Sequence, residues 1–145
     1  MVEAHYNRYK SMAGELMNAL QQKTCAGNDF LGWIDLPAAI SPALLDDINQ
    51  TAQNLRNLSD VVVVIGIGGS YLGARAVIES QKNPFSHHGC EVVYAGHQLS
   101  PGYLTELAQY LKDKKWSIIS ISKSGTTTEP ALAFRYLRSL LVAQF

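Results

Sequence analysis

Between residues 122 and 128 the chain reads SKSGTTT, which gathers five hydroxyl side chains (Ser122, Ser124, Thr126, Thr127 and Thr128) and the ammonium of Lys123 around a glycine. Such a set can surround an anion with hydrogen-bond donors while supplying one full charge. A second stretch, GIGGS at 66–70, combines three glycines with a serine. Glycines let backbone approach a ligand closely, and a helix N-terminus offers unpaired N–H groups at the positive end of its dipole.

Each stretch directly follows an apolar run. VVVVIG at 61–66 is β-branched and continuously apolar, as expected of a strand covered on both faces. Tyr71 to Ser80 then reads as helix, Glu91 to Ala95 as a second strand, and Pro101 to Lys112 as helix. Trp116 to Ile121 reads as a third strand and Ala131 to Ala143 as a last helix. Strand and helix thus alternate three times, which predicts an α/β fold built on a parallel sheet with right-handed crossovers. In such sheets ligands sit at the carboxyl ends of the strands, where both donor-rich loops fall.

Upstream, Met12, Ala13, Leu16, Met17 and Leu20 line one face of an amphipathic helix over 3–22. The stretch AGNDFLGWIDL at 26–36 is aromatic, and Phe30 and Trp33 are expected to plug the edge of a core. Ser41-Pro42 and Ser100-Pro101 each open a helix, a hydroxyl cap followed by proline at the first helical position. These dipeptides are punctuation, not chemistry. Residues 1–58 are expected to form a helical segment packing on a core of residues 59–145.

The loops also have plainer readings. A glycine-rich turn can serve tight strand-to-helix packing, and Ser, Thr and Gly are ordinary turn residues. Thr126 to Glu129 fits a capping-box spacing, while Pro130 suits the first helical position with Glu129 or Thr128 as cap. Five hydroxyls still exceed what one cap can use.

Better-known phosphate loops do not match. A dinucleotide fingerprint counted from Gly66 meets Gly68 and then Tyr71 where the third glycine belongs, and the second strand ends in Ala95-Gly96-His97 with no carboxylate for a ribose. That disfavours a nucleotide-dependent oxidoreductase. Gly68 to Gly73 has P-loop spacing, but Ala74 and Arg75 stand where lysine and a hydroxyl are required.

Across 145 residues, 12 basic side chains balance 12 acidic ones, which argues against nucleic acid, where a basic face would be needed to neutralise phosphates. The run Val61 to Ile65 is far too short to span a bilayer, and no signal-peptide core opens the chain, which reads as soluble and cytoplasmic. Cys25 and Cys90 lack the spacing of a disulfide framework or a zinc site, and His87-His88 reads as a solvent-facing loop.

GIGGSYLG (66–73) together with ISKSGTTTEP (121–130), at this separation, resembles the paired signatures of the glucose-6-phosphate isomerase family. GNDFLGWIDLP (27–37) is similar to that family's bacterial branch. The resemblance implies a sugar-isomerase (SIS) domain, a three-layer αβα sandwich around a doubly wound, mainly parallel sheet. It implies that Gly69 and Ser70 approach a hexose 6-phosphate, while Ser122, Lys123, Ser124 and Thr127 hold its phosphate, Lys123 through either its backbone or its ammonium.

The family's reaction interconverts glucose 6-phosphate and fructose 6-phosphate by ring opening and proton transfer through a cis-enediolate, in a homodimer and without metal or organic cofactor. Its catalytic glutamate, histidine, lysine and arginine lie in motifs beyond the hydroxyl loop that this chain does not contain. Glu79, Glu129, His97 and Arg75 do not sit in matching contexts. The expectation is therefore the phosphosugar-binding part of a longer isomerase, truncated at its C-terminus and inactive alone. A non-catalytic sugar-phosphate sensor is the alternative, although no basic segment or DNA-binding helix pair accompanies the domain.

Overall fold

A computed structural model describes residues 2–83, 85 and 89–145, so the histidine pair His87-His88 lies outside the described residues. The chain forms two compact units, residues 1–48 and 49–145.

In the first unit, α1 (Val2–Gln21) bears out the amphipathic pattern as helix, yet Met12, Leu16 and Met17 remain exposed. Its end is a Schellman turn: the N–H of Thr24 returns to Ala19 O at 2.9 Å and that of Lys23 to Leu20 O at 3.1 Å. A 3₁₀ turn at Asn28–Phe30 and the short α2 (Leu36–Ala39) follow. Here the structure corrects the expected aromatic plug. Phe30 and Trp33 are 74 % and 60 % exposed, and the buried residue of the stretch is Leu31 at 7 %. In a run of tight turns, side chains three apart fall on the same side, which directs Phe30 and Trp33 together away from Leu31.

Helix α3 (Pro42–Leu58) crosses the division between the units, and the N–H of Leu44 donates to its cap Ser41 Oγ at 3.2 Å. The second unit then builds the sheet from β1 (Val61–Ile65), β2 (Glu91–Ala95) and β3 (Trp116–Ser120), ordered β2-β1-β3 and all parallel. Val61 stands in register with Glu91 on one side and Trp116 on the other. Between and after the strands run α4 (Leu72–Gln81), α5 (Pro101–Leu111) and α6 (Thr128–Gln144). Ser100 caps α5 as expected, accepting the N–H of Tyr103 at 3.3 Å.

The chain runs from β1 to its neighbour β2, then crosses back over β1 to reach β3. Right-handed crossovers in opposite directions place their helices on opposite faces. The packing agrees. Val61, Val63 and Ile65 meet Leu107 and Leu111 of α5 and Ala133 and Leu137 of α6, while Val62 and Val64 pack with Tyr94, over whose ring lies Arg75 of α4. All five β1 residues are buried, which explains its unbroken apolar run. Each contributes on the order of 1.5–3 kcal/mol by leaving water. This is an α/β fold with a parallel sheet between helical layers.

Candidate functional site

The reversal at β1 separates two loops that leave neighbouring strands toward opposite faces of the sheet, and a crevice opens between them. The loop after β1 becomes a 3₁₀ turn, Gly68–Ser70, before α4, and the loop after β3 runs from Ile121 into α6. At their roots the N–H of Ile121 donates to Ile65 O at 2.9 Å, and the N–H of Gly66 donates to Ala95 O at 3.1 Å. A side chain at Gly66 would meet Ser70 Cβ at 3.0 Å and Ile121 O at 3.3 Å, so the glycine loop folds tightly back on itself and against its neighbour. Part of the plain packing reading of these glycines therefore holds. Gly69 differs, because a Cβ there would meet nothing within 4 Å.

A cavity of 380 Å³ lies between the loops, lined by Gly69 and Ser70 on one side and Ser122, Lys123 and Thr127 on the other, with Ile67, Ile121 and Pro130 as its apolar lining. Ser124 does not line it. Its Oγ instead accepts from the N–H and the hydroxyl of Thr126 at 3.2 and 2.9 Å. Ser122 Oγ accepts from the N–H of Gly125 at 2.8 Å, holding the turn and leaving its own proton to donate elsewhere. The hydroxyl loop is thus braced from within by part of its own hydroxyl set.

The start of α6 uses none of the expected caps, Thr126, Thr128 or Glu129. Thr127 is the cap residue, its side chain makes no capping bond, and Pro130 is the third helical residue. Proline is tolerated there because the first N–H groups of a helix have no intrahelical partner in any case. The physical consequence is that Thr127 keeps its side chain at the cavity.

A second cavity of 340 Å³ shares Ser122, Thr127 and Pro130 with the first and adds Arg135 and Arg138 from α6. Sequence reasoning passed over these arginines. Their spacing of three residues on a helix that begins at the hydroxyl loop was the available signal. The arrangement can offer an anion hydroxyl donors, close backbone and nearby cationic groups. Among the described residues no group of three or more acidic, histidine or cysteine side chains could hold a metal ion, and no helix is long and apolar enough to cross a membrane.

No protein-family model matches the chain. It is similar to the glucose-6-phosphate isomerase of Parabacteroides distasonis, 50 % identical over 137 residues that cover 91 % of this chain and 31 % of that protein. The glucose-6-phosphate isomerase of Acholeplasma laidlawii is 49 % identical over 130 residues, covering 90 % and 30 %. That of Leptospira interrogans is 52 % identical over 119 residues, covering 79 % and 26 %. The chain spans about three tenths of the length of the curated relatives it matches. Similarity this high over most of the chain cannot reside in two short loops alone, and the chain is similar to glucose-6-phosphate isomerases throughout the portion of those proteins that it spans.

Proposed function

We propose that the cavity between the two loops receives the phosphate of a hexose 6-phosphate, and that the chain is the phosphosugar-binding part of a glucose-6-phosphate isomerase. The observation that carries this reading is the meeting of Gly69, Ser70, Ser122, Lys123 and Thr127 around one cavity at the point where strand order reverses. The relatives' names supply the sugar. The loops supply only the grip on its phosphate.

In this reading Gly69 and Ser70 present backbone N–H groups and a hydroxyl from the β1 side. Ser122 and Thr127 donate hydroxyls from the β3 side, Lys123 brings positive charge or its backbone N–H, and Ser124 contributes through the turn it organises. The phosphate is the inert end of the substrate, so this grip anchors and orients. Proton transfer between C2 and C1 requires groups that bind the transition state more strongly than the sugar, and no carboxylate, histidine or arginine of this chain is assigned to it. The isolated chain binds weakly and turns over no substrate.

Titration of fructose 6-phosphate into isotope-labelled chain tests the site. The amides of Ser70, Ser124 and Thr127 shift, and inorganic phosphate shifts the same set less. Unmoved amides at millimolar ligand in a folded sample overturn the assignment.

A further inference from the structure

We infer that the segment Ala95-Gly96-His97, which belongs to neither donor-rich loop, sets the spacing between them, so that Gly96 and His97 are positioning residues for the anion site. The site itself is the one read above as a phosphate cradle.

Gly96 stands at the carboxyl end of β2 with φ of 78°, in the left-handed region. A Cβ there would lie 2.9 Å from the backbone Cα of Pro130 and 3.0 Å from Ile65 Cγ2. The start of α6 therefore reaches past the end of β1 and rests on Gly96. Only Thr128 and Glu129 separate Pro130 from Thr127 at the cavity, so a side chain at 96 would push the α6 N-terminus and the hydroxyl loop with it.

The next residue braces the other loop. His97 stacks on Tyr71 with centroids 5.2 Å apart and planes 26° apart, and Tyr71 directly follows the 3₁₀ turn of the glycine loop, its N–H bonded to Gly68 O at 3.2 Å. Tyr71 also meets Tyr94 at 5.8 Å. Tyr103 of α5 packs edge-on against His97 at 5.7 Å and donates its hydroxyl to Tyr94 O at 2.5 Å, tying the group to the strand. Consecutive residues thus touch the two loops that form the cavity, one by yielding room and one by stacking.

The imidazole belongs there in its neutral form. Its Nδ1 is buried and has no hydrogen-bond partner among the described residues. Burial, and then the nearby Arg75, hold His97 below its ordinary pKa. The groups facing it are Tyr71 and Arg75 from the turn and α4 and Tyr103 from α5, with no carboxylate among them.

The full 145-residue chain is compared with Gly96→Ala, His97→Ala and His97→Phe, reading unliganded amide shifts and then fructose 6-phosphate affinity. Gly96→Ala shifts the amides around Thr127, His97→Ala shifts those of Gly68 to Tyr71, and each weakens the sugar phosphate by about tenfold, roughly 1.4 kcal/mol. His97→Phe, which keeps the stack, restores most of the affinity. In the unaltered chain the Gly68 to Tyr71 amides also titrate with a midpoint below the ordinary histidine value, and in His97→Phe they do not.

Folded variants whose loop amides stay in place overturn the inference. So does an equal loss in His97→Ala and His97→Phe. If Gly96→Ala does not fold, the His97 pair and the titration decide. If the unaltered chain fails to bind fructose 6-phosphate, the phosphate reading falls, while the unliganded shifts still establish or refute the positioning.

Discussion

Gly66 keeps its loop tight because a side chain there would meet Ser70 and the carbonyl of Ile121, and Tyr71 continues that loop into a stack with His97. Across the cavity, the turn at 122–126 is held by its own serines, each accepting a backbone N–H from two or three residues ahead. One loop is shaped by its neighbours, the other by local side-chain bonds. A loop shaped by neighbours transmits any change in them, whereas a locally bonded turn keeps its form but moves as a body with the helix it precedes. The cavity therefore depends on α6 for one wall and on the β2 end for the other.

That difference can be broken at several levels. The largest effect belongs to Leu137→Ala, which empties a fully buried position on α6 and costs about 2–5 kcal/mol in denaturant unfolding. Hydrogen exchange then rises first in the hydroxyl loop, and an equal rise in the glycine loop erases the distinction. Next, Gly66→Ala forces atoms at 3.0 and 3.3 Å to give way, at a cost of about 1–3 kcal/mol. Because those atoms belong to both sides, amides of both loops shift.

In the unliganded chain Ser122→Ala removes the acceptor for the Gly125 N–H and costs about 0.5–1.5 kcal/mol. Amide shifts confined to 122–126 support local bracing, and shifts at 68–71 contradict it. The smallest effect lies at the opposite end of β2, where the Tyr110 hydroxyl donates to the Glu91 carboxylate and Tyr110 is pushed up to about 12, first by that bond and then by burial. A phenol raised above its unfolded value of 10.0 lends stability below that pH and loses it as pH climbs toward 12. Tyr110→Phe removes this alkaline loss and leaves both loops unmoved, which separates the site from the far end of the sheet.

Much of this was legible in the order of residues. Val61 to Ile65 announces a two-face buried strand because a parallel sheet between helices leaves no polar face, and Ser100-Pro101 announces a helix start because its geometry is local. The donor-rich loops were visible for the same reason: their composition is their chemistry. Phe30 and Trp33 misled because aromatic character says nothing of direction, and direction came from the turns that carry them. Thr127 displaced the expected caps of α6 because Pro130 can occupy any position in the first helical turn.

By itself, then, the sequence determined the alternation of strands and helices and the two sets of donors, since each depends on neighbours within a few residues, and the alternation in turn called for a parallel sheet. Only the tertiary structure decided that Ser124 turns to its own loop while Thr127 lines the cavity, that Arg135 and Arg138 flank it, and that Gly96 and His97 stand between its walls. Apart from the local turn at Ser124, those outcomes depend on residues from different elements meeting where the strand order reverses, and no local pattern encodes the distance between them.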